Sequence, residues 1–592
     1  MSDARPPALR PMGAVFFDRV DELGDHPFIR VPGSHDVSWR DFGAAVSETV
    51  RGLRDIGLRK GDRVSLLSGN RFACLTADVA TIAAGLVLVS NRPAYSDALV
   101  TRLLGHAGVR AVFVEDERMA ERVLRLRGDL PALDFVIALH GSGGVAGAMT
   151  LDELRARGRA RDPAELRAIV ASVDLDDMAS IEYTSGSTGE PKGVVKVNRS
   201  LVTCHLAPMA HDAPLLPARR HEVVPVTLTL NHLLGRGIVH RAFIQGRTVA
   251  MLELEEPDLH LAEIRAMEPV LLWAVPRLML RLWDEFVREN PDWLERAERI
   301  ERDAQVPGDS LISPAEAARF APEREALLAR FLAAFGGKLQ QIGCTGAPMP
   351  MKILRICDRV GIPLDPFYGS TEAGAITTPD GPRRERLGNV GLPYPGTEIS
   401  IADDGEVLIR SPAVMREYLE NPAATREVLD EDGWLHSGDL GSFDRDGCLR
   451  LVGRKKDIFC TADGSNIYPA RVESVLEEDA LIRQAVLVGD RRPYLVALLV
   501  PDAAKVAAAL GVGKAADVHA LLWSRVEAFN AVVEANERIR RIAVLTADLP
   551  ADVRIAAGVL GKARTDRARV EAVFRAEIDL LYASTPGEEL VR

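Results

Sequence analysis

Short apolar segments alternate with amphipathic helical segments along the first two-thirds of this chain of 592 residues, and this alternation constrains the fold most strongly. Arg63–Leu67 and Ala111–Val114 are apolar runs of strand length, whereas Phe42–Leu53 repeats its apolar residues with the period of a helix. Parallel strands need a long crossover connection, usually a helix, so interleaved strands and helices indicate α/β architecture. We therefore expect a large N-terminal domain of parallel α/β layers.

The pattern changes twice towards the C-terminus. Turn signals crowd residues 388–446 between short strands such as Glu406–Ile409, which predicts a small antiparallel β region. Beyond Arg454 the sequence becomes a compact mixture, and we expect a smaller, mobile α+β domain there. Its predicted strands and helices are Gln484–Val488, Leu495–Val500, Val472–Leu476 and Leu521–Ala535. The predicted domains are residues 1–454 and 455–592.

Charge and hydropathy disfavour several classes of partner. A formal net charge of -12 leaves little basic surface for a nucleic acid. The most apolar stretch, residues 73–90, contains Asp78 and predicts a buried helix followed by a strand, Leu86–Val89, rather than a membrane span. The polar N-terminal residues contain no apolar core of signal-peptide length, and the six cysteines lack zinc-binding spacing. We expect a cytoplasmic protein without a transmembrane segment or a nucleic-acid partner.

The segment Tyr183–Gly193 carries the clearest chemical signal. It follows the predicted strand Met178–Glu182 and reads Tyr-Thr-Ser-Gly-Ser-Thr-Gly-Glu-Pro-Lys-Gly. Hydroxyl side chains, glycines that let backbone N–H groups approach a ligand, and one lysine suit a polyphosphate. The spacing is not that of a Walker A motif, because Lys192 is followed by Gly193 rather than by Ser or Thr. The sequence predicts a phosphate-binding segment of another class.

This segment resembles the phosphate-binding signature of the adenylate-forming superfamily, which includes acyl-CoA synthetases, luciferases and peptide-synthetase adenylation domains. Five later segments resemble the family's adenine-binding, metal-binding, ribose-binding, hinge and C-terminal lysine motifs in the expected order. They are Gly346-Ala347-Pro348, Tyr368–Gly374, Trp434–Asp439, Gly453–Asp457 and Gly561–Arg564. The resemblance implies an enzyme that activates an acid with ATP and Mg²⁺.

A carboxylate that attacks the α-phosphate of ATP is an anion approaching an anion, so the site has to neutralise charge and align the two groups. The resemblance implies that Glu372 holds Mg²⁺, that Thr371 contacts the α-phosphate, and that Lys562 balances the developing charge. Arg564 and Arg567 are alternatives to Lys562. The predicted catalytic residues are Lys192, His232, Thr371, Glu372 and Lys562.

The predicted ATP site combines phosphate, adenine and ribose contacts. Lys192 and the neighbouring hydroxyls are expected to surround the β- and γ-phosphates, the ring of Tyr368 to face adenine, and Asp439 to accept hydrogen bonds from the ribose hydroxyls. The predicted ATP-binding residues are Thr184, Ser185, Gly186, Ser187, Thr188, Gly189, Lys192, Gly346, Ala347, Pro348, Tyr368, Gly369, Ser370, Thr371, Asp439 and Arg454.

The C-terminal segments imply a second half-reaction. Members of the superfamily rotate the C-terminal domain between acid activation and thiol transfer, and Lys456 matches the hinge position. The segment Thr461–Pro469, with Gly464, resembles the loop that enters the thiol-transfer site. Its form is closest to long-chain acyl-CoA synthetases and to the adenylation domains of carboxylic acid reductases. No insertion typical of acyl-AMP ligases follows the segment that resembles the adenine motif, so coenzyme A is the expected thiol.

The acid itself is not identified by the sequence. Where long-chain relatives usually have Pro-Leu-x-His, this protein has Leu228–Arg236, and the usual His after the phosphate segment is replaced within Val195–Asn198. His232 either orients the acid, gates its tunnel or packs in the core. Position alone suggests a pocket lining of Val275, Pro276, Arg277, Gly343, Cys344 and Thr345.

The sequence favours an acyl-CoA ligase for a fatty or aromatic acid. Three alternatives stay open. The enzyme could load the acyl group onto a carrier protein, it could use nitrite to diazotise an aryl amine, or the fold could bind nucleotide without turnover. The presence of Lys192, Glu372, Asp439 and Lys562 argues against the non-catalytic alternative.

Overall fold

A computed structural model describes residues 9–185, 191–206, 222–254, 259–304, 306, 308–378, 387–463, 465–510, 515–550, 553–555, 564–583 and 590–591. Its first part contains α1 Met12–Leu23, β1 Pro27–Arg30, β2 Asp36–Ser38, α2 Trp39–Asp55, β3 Arg63–Leu67, α3 Phe72–Ala83, β4 Val87–Asn91, α4 Asp97–His106, β5 Ala111–Val114, α5 Glu117–Leu126, β6 Phe135–Ala138, β7 Met149–Thr150, α6 Leu151–Arg159, α7 Glu165–Ala171, β8 Met178–Ser185, β9 Pro191–Val197 and α8 Asn198–Leu206.

The second part contains β10 Val223–Pro225, α9 Leu233–Ile244, β11 Thr248–Ala250, α10 Leu261–Met267, β12 Leu271–Ala274, α11 Pro276–Glu289, α12 Pro291–Asp303, α13 Pro314–Arg319, α14 Ala321–Ala334, β13 Gln341–Cys344, α15 Met351–Val360, β14 Leu364–Pro366, β15 Gly369–Ser370, β16 Gly374–Ala375 and β17 Thr377–Thr378. An antiparallel region follows, with β18 Leu392–Pro393, β19 Glu398–Ile401, β20 Glu406–Arg410, β21 Glu417–Tyr418, α16 Pro422–Val428, β22 Leu435–Phe443 and β23 Leu449–Arg454.

The C-terminal part begins with a 3₁₀ turn, Lys455–Asp457. Its further elements are β24 Phe459–Cys460, β25 Asn466–Ile467, α17 Pro469–Leu476, β26 Ile482–Val488, β27 Leu495–Pro501, α18 Ala503–Leu510, α19 Ala515–Asn530, β28 Ile539–Val544, β29 Arg554–Ile555, β30 Arg564–Thr565, α20 Arg567–Val573, α21 Arg575–Ala583 and β31 Leu590–Val591. None of the helices in the described ranges is both long and apolar enough to span a bilayer.

The largest sheet has eight strands in the order β21-β9-β8-β4-β3-β5-β6-β7. The strands from β8 to β7 pair in parallel, and β9 and β21 add an antiparallel edge. Along β4, Leu88 packs into one hydrophobic cluster, while Val87 and Val89 pack into another. Successive residues of a strand point to opposite faces, so both faces of this sheet are covered. The predicted α/β class is confirmed.

Two smaller parallel arrangements place the site. The strands β12, β13 and β14 form a three-stranded parallel sheet, and β1, β11 and β10 pair in parallel beside the antiparallel β2. Ligands of open α/β sheets bind beyond the carboxyl ends of the strands. Thr184 near the end of β8, Thr345 after β13 and Phe367 after β14 all line one cavity at such ends.

The C-terminal part has its own hydrophobic clusters. Within the described ranges, the clusters of residues 459–581 contain no member from the N-terminal side of Arg454. Polar contacts join the two sides: Lys455 pairs with Asp404 and Glu406, and the N–H of Met351 donates to Glu478 at 3.2 Å. The domain boundary predicted at Arg454 is compatible with this separation of cores.

The predicted bounds of two helices are wrong. The sequence predicts helices over Val472–Leu476 and Leu521–Ala535, whereas α17 begins at Pro469 and α19 spans Ala515–Asn530. The Asn530 side chain bonds both the N–H and the C=O of Ile539, at 2.9 and 2.8 Å. These contacts to β28 end the helix because the side chain is committed to a strand nine residues later, which helical periodicity does not reveal.

Candidate active site

A cavity of about 770 Å³ lies between the carboxyl ends of β8, β13 and β14, the helix α9, and the segment around Arg454. One side, which we call the polar wall, consists of Thr184, Lys192, Thr371 and Glu372. Another side is a largely apolar face of α9, which we call the helix wall. It consists of Leu234, Gly237, Ile238 and Arg241. The two walls therefore bring charged and apolar surface into one cavity.

Strand pairing positions the first half of the polar wall. Thr184 on β8 lies directly opposite Lys192 on antiparallel β9, so both side chains reach the same face of the sheet. The Lys192 ammonium lies 5.0 Å from the ring centroid of Tyr418, within the range of a cation–π contact. Ser185 ends β8. The predicted phosphate-binding residues Gly186, Ser187, Thr188 and Gly189 lie outside the described residues.

Glu372 supplies the carboxylate of the polar wall. The Tyr418 hydroxyl donates to Glu372 Oε1 at 3.0 Å, and in the described part of the protein no cation pairs with this carboxylate. The backbone carbonyl of Glu372 accepts from the N–H of Met415 at 2.7 Å and from Lys196 Nζ at 2.9 Å. The backbone of Glu372 is therefore fixed while its carboxylate faces the cavity.

Lys196 on β9 lies behind the polar wall. Only 1% of its surface is exposed, and its ammonium donates to the C=O of Glu372 and, at 2.8 Å, to the C=O of Ala413. Burial lowers the pKa of Lys196 to about 8, although Cys204, Glu372 and Glu182 oppose this shift. Lys196 thus connects two segments of the site through their carbonyl groups.

Tyr368 and Asp439 form a buried pair instead of lining the cavity directly. The Tyr368 hydroxyl donates to Asp439 Oδ2 at 2.5 Å, and the Arg454 guanidinium lies 2.7 Å from Asp439 Oδ1. Burial raises the pKa of Asp439, and Arg454 and the Tyr368 hydroxyl oppose that rise. Burial and the Asp439 charge raise the pKa of Tyr368 well above its usual value. Each oxygen of Asp439 keeps a further lone pair that accepts another hydrogen bond.

The predicted adenine segment reaches the cavity only in part. Gly346 lines it and is exposed, whereas Ala347 and Pro348 are outside the lining. Gly346 has a φ of +89°, a conformation that L side chains rarely adopt. Gly369 and Ser370 also line the cavity, and a Cβ at Gly369 would lie 2.4 Å from the C=O of Gly374. The close approach of the Gly374 backbone thus explains why residue 369 is a glycine.

The helix wall follows directly from helical geometry. Leu234, Gly237, Ile238 and Arg241 occupy positions i, i+3, i+4 and i+7 of α9, so they share one face of the helix. The sequence motifs pointed to the beginning of this segment but not to Gly237, Ile238 or Arg241. The i, i+3, i+4, i+7 spacing of these residues is the sequence pattern that predicts a shared helix face.

His232 lies in the cavity at the N-cap of α9, where its Nδ1 accepts from the N–H of Leu234 at 3.2 Å. This hydrogen bond needs the Nδ1 lone pair, so the proton of the neutral ring belongs on Nε2. Burial, together with Arg92 and Arg236, lowers the pKa of His232 to about 3. His232 is therefore a neutral hydrogen-bond donor near pH 7, not an acid–base switch.

Buried charges hold the opposite face of α9. Arg236 is fully buried, donates to Ser90 Oγ at 3.0 Å and to the Glu182 carboxylate, and lies 3.8 Å from Asp78. His240, one helical turn later, is 3.4 Å from Asp78. Charges removed from water need such partners. The network fixes the rotation of α9, and with it the direction of the helix wall.

The predicted hinge region reaches the same cavity. Arg454, Lys455 and Lys456 all line it, and Lys455 Nζ lies 2.9 Å from Glu406. Arg567, an alternative to Lys562, instead pairs with Glu473 at 2.9 Å and donates to the C=O of Leu487. Lys562 and Gly464 lie outside the described residues.

The pocket residues predicted by position have different locations. Thr345 lines the cavity, whereas Val275, Pro276 and Cys344 are buried and Arg277 is exposed, all outside its lining. Gly343 lies behind the lining, where a Cβ would come within 2.6 Å of the Trp273 ring. Trp273 and Phe367 line the cavity but were not predicted, because each is an isolated aromatic residue near a strand end.

The family model for AMP-binding enzymes matches residues 16–419. The chain belongs to the AMP-binding enzyme family. A second model, for the C-terminal domain of AMP-binding enzymes, matches residues 456–586. The resemblance to the adenylate-forming superfamily is confirmed.

Curated relatives cover nearly the whole length of this family member. It is 31% identical over 577 residues to the long-chain-fatty-acid–CoA ligase FadD15 of Mycobacterium tuberculosis, and the match spans 92% of both proteins. It is 26% identical to the peroxisomal long chain acyl-CoA synthetase 7 of Arabidopsis thaliana, and that match spans 79% of this protein and 69% of the relative.

Solved structures share the fold at lower identity. The ATP-bound MatB from Rhodopseudomonas palustris has a TM-score of 0.70 at 19% identity, and the match spans 95% of this protein and 99% of MatB. The anthranilate CoA ligase AuaEII in complex with anthranoyl-AMP has a TM-score of 0.71 at 17% identity, with corresponding shares of 97% and 99%. These structures support the α/β class and the fold of the AMP-binding family.

Proposed function

We propose that this enzyme activates a carboxylic acid with ATP and transfers the acyl group to coenzyme A. In the first step, a carboxylate oxygen attacks the α-phosphorus, and the bond to the bridging oxygen of pyrophosphate breaks. In the second step, the thiol sulfur attacks the acyl carbon, AMP leaves, and the thiol proton passes to solvent. The products are acyl-CoA, AMP and pyrophosphate.

The continuity of the cavity is the observation that carries this proposal. The polar wall offers an ammonium, two hydroxyls and a carboxylate, while the helix wall offers apolar surface beside it. A polyphosphate and an organic acid that meet at one phosphorus need this combination. Two curated relatives that match this protein over most of its length are named long-chain-fatty-acid–CoA ligases. These names favour coenzyme A as the acceptor and a fatty acid as the acid.

Each side of the cavity has a proposed role in the first step. Lys192 and Thr184 bind phosphate oxygens, and Thr371 contacts the α-phosphate. His232 directs its Nε2–H towards the carboxylate of the acid and orients it without accepting a proton. Asp439, braced by Tyr368 and Arg454, binds the ribose, and Lys562 comes from the C-terminal part.

Glu372 fits a Mg²⁺ ion. Magnesium is usually bound by one or two carboxylates together with water and substrate phosphates, and Glu372 presents one carboxylate whose described side-chain partner is the Tyr418 hydroxyl. A bound Mg²⁺ would neutralise charge on the phosphates. The fixed backbone of Glu372 holds it in the polar wall, whose other members are Thr184, Lys192 and Thr371.

The second step is proposed to use the C-terminal part, residues 455–592. Lys456 is the proposed hinge, because it follows β23 and lies in a short 3₁₀ turn at the cavity. Gly464 belongs to the segment that is proposed to approach the acyl-adenylate from the thiol side. The proposed compartment is the cytoplasm, where coenzyme A and ATP are both supplied.

The test measures both half-reactions. Purified enzyme is incubated with Mg-ATP and a panel of fatty and aromatic acids, with coenzyme A added or withheld, and pyrophosphate and thioester are quantified. Pyrophosphate without coenzyme A and thioester with it are the expected results. Pyrophosphate with an acid but no thioester indicates a carrier-protein acceptor. Absence of pyrophosphate with every acid contradicts the proposal, and nitrite with aryl amines is then tested.

Variants connect the result to the site. Lys562→Ala is expected to lose acid activation, whereas Lys338→Ala, a lysine in an exposed pair with Glu268, is expected to retain it. Equal activity of the two variants would remove Lys562 from the mechanism. Arg567→Ala is expected to retain activation as well, because Glu473 already binds that guanidinium.

A further inference from the structure

Arg241 is the one cation of the helix wall. It follows Ile238 by three residues on the cavity face of α9, and its guanidinium carbon lies 4.5 Å from the ring centroid of Trp273. Among the residues that the structure describes, no carboxylate pairs with the Arg241 guanidinium, and no side chain or carbonyl accepts a hydrogen bond from it. Its partner on the protein is an aromatic ring.

The stack around Arg241 is built into the sheet. Trp273 on β12 lies opposite Gly343 on β13, and the missing side chain of Gly343 leaves space for the indole. Phe367, just after β14, meets the Trp273 ring edge-on with centroids 5.0 Å apart. Three adjacent strands thus shape a rigid platform on which the guanidinium lies.

An arginine on an aromatic platform keeps its N–H donors available in the plane of the guanidinium. Its cavity neighbours Leu234, Ile238, Trp273 and Phe367 are apolar and accept no hydrogen bond through their side chains. Arg241 is partly buried, so a ligand that fills the cavity and displaces water from the guanidinium has to supply the hydrogen-bond acceptor in its place. We therefore expect the ligand of this cavity to carry a negatively charged group beside Arg241.

We propose that Arg241 recognises a second anionic group on the acid, so that the preferred substrate carries a carboxylate at each end. This inference rests on the proposed acid activation. The reacting carboxylate belongs beside His232 at the start of α9, and the second carboxylate binds the guanidinium further along the same helix. Arg241 is thus a specificity-determining residue, and the apolar part of the substrate lies along Leu234, Gly237 and Ile238.

Helix geometry limits the length of this acid. His232 and Arg241 are nine residues apart, which corresponds to about 13 Å along the helix axis. Side chains on a helix lean towards its N-terminus, so the guanidinium lies nearer to His232 than the backbone separation indicates. The expected substrate is therefore a fatty acid of short or medium chain length that ends in a second carboxylate.

The experiment compares two homologous series, straight-chain monocarboxylic acids and the α,ω-dicarboxylic acids of the same lengths, by pyrophosphate release. The wild type is expected to prefer the dicarboxylate at the best length by about tenfold or more in kcat/KM, the usual value of a charge-assisted hydrogen bond. Arg241→Met is expected to abolish this preference, measured as the ratio of kcat/KM between the two series, while Arg241→Lys retains part of it.

Arg277→Met is the matched control, because Arg277 is exposed and outside the cavity lining. A wild-type preference for monocarboxylates, or a ratio that Arg241→Met leaves unchanged, would overturn the inference while the proposed acid activation stands. A raised KM for ATP with an unchanged acid ratio would likewise overturn it, because Arg241 would then contact the nucleotide. Lack of pyrophosphate with both series contradicts the proposed function and this inference with it.

Discussion

The two walls of the cavity are fixed by different interactions. The polar wall is held through its backbone, by strand pairing between Thr184 and Lys192 and by the Lys196 contact to the C=O of Glu372. The helix wall is held through side chains, by the buried charges of Arg236 on the far face of α9. The position of the polar wall therefore depends on backbone geometry, whereas the position of the helix wall depends on the side chains of one helix.

The largest effect is expected from removal of the anchor of the helix wall. Arg236→Met would leave Glu182 and Asp78 as buried carboxylates without their cation, which costs about 3–5 kcal/mol of unfolding free energy. Urea denaturation measures this loss. Arg199→Met is the control, since Arg199 pairs with Asp176 at the surface and its removal is expected to leave the urea midpoint nearly unchanged. Equal losses would show that α9 is anchored elsewhere.

Removal of the carboxylate of the polar wall tests the other side of the comparison. Glu372→Gln keeps the size of the side chain and its contact to Tyr418 but removes the negative charge, so acid activation should fall by about 10²–10³-fold in kcat with stability unchanged. Pyrophosphate release as a function of Mg²⁺ concentration is the measurement. Glu417→Gln on neighbouring β21 is the control; a loss of stability in Glu372→Gln would assign Glu372 to the fold instead.

Lys196 gives the polar wall a dependence on pH. Lys196→Met leaves the C=O of Ala413 without this donor, which costs about 1–3 kcal/mol and is partly offset by the loss of a buried charge. The folded pKa of about 8 lies below the ordinary value of 10.5, so between these pH values the unfolded protein binds the extra proton. Stability of the wild type relative to the variant should therefore rise with pH in that window, by up to about 3 kcal/mol.

Thermal or urea unfolding of both proteins at pH 7, 8, 9 and 10 would test this sign. Lys338→Met, which removes the exposed pair with Glu268, provides the control for general effects of alkaline pH. A stability difference between wild type and Lys196→Met that stays constant over this range would mean that Lys196 keeps its proton when buried.

The smallest effect is expected at His232, the N-cap of α9. His232→Asn retains an N-cap acceptor for α9, so stability should stay within a few tenths of a kcal/mol, whereas His232→Ala should lose about 1 kcal/mol. Because the pKa of His232 is lowered to about 3, its folded form stays neutral between pH 5 and 8. The pH profile of acid activation in that range should therefore have the same shape in wild type and His232→Asn. A profile that changes near pH 6.5 would assign acid–base chemistry to His232.

The sign of the His232 effect on stability follows from the same shift. Its folded pKa lies below its ordinary value of 6.5, so the unfolded protein takes up the proton first as the pH falls. The contribution of His232 is complete above pH 6.5 and is lost progressively towards pH 3. The difference in stability between wild type and His232→Asn should follow this course.

Local sequence patterns predicted the strands better than the helix ends. Arg63–Leu67 and Ala111–Val114 were predicted with the bounds that β3 and β5 have, because a buried parallel strand is a short run of apolar residues between polar turns. The end of α19 was wrong by five residues, since Asn530 is fixed by a tertiary contact to Ile539. The sequence predicts the class of fold, but it does not predict the residue at which α19 ends.

The candidate site divides in the same way. Lys192, Thr371, Glu372 and Gly346 could be named from motifs, and the structure brings them to one cavity. The roles of Tyr368 and Asp439 needed the structure, because their mutual hydrogen bond at 2.5 Å joins residues 71 positions apart. A motif records residues that are near in sequence, so it does not report such a pair.

By itself, the sequence of this protein determined its α/β class, its membership of a family recognised by ordered motifs, and the charged groups proposed to bind a polyphosphate. Only the tertiary structure decided which residues line the other side of the cavity. Arg241, Trp273 and Phe367 come from a helix and two strand ends that are separated by up to 126 positions, and each reads as an ordinary residue in its own segment. Their meaning depends on packing between segments, because the cation, the ring and the space beside Gly343 coincide only when the strands β12, β13 and β14 pair beneath α9.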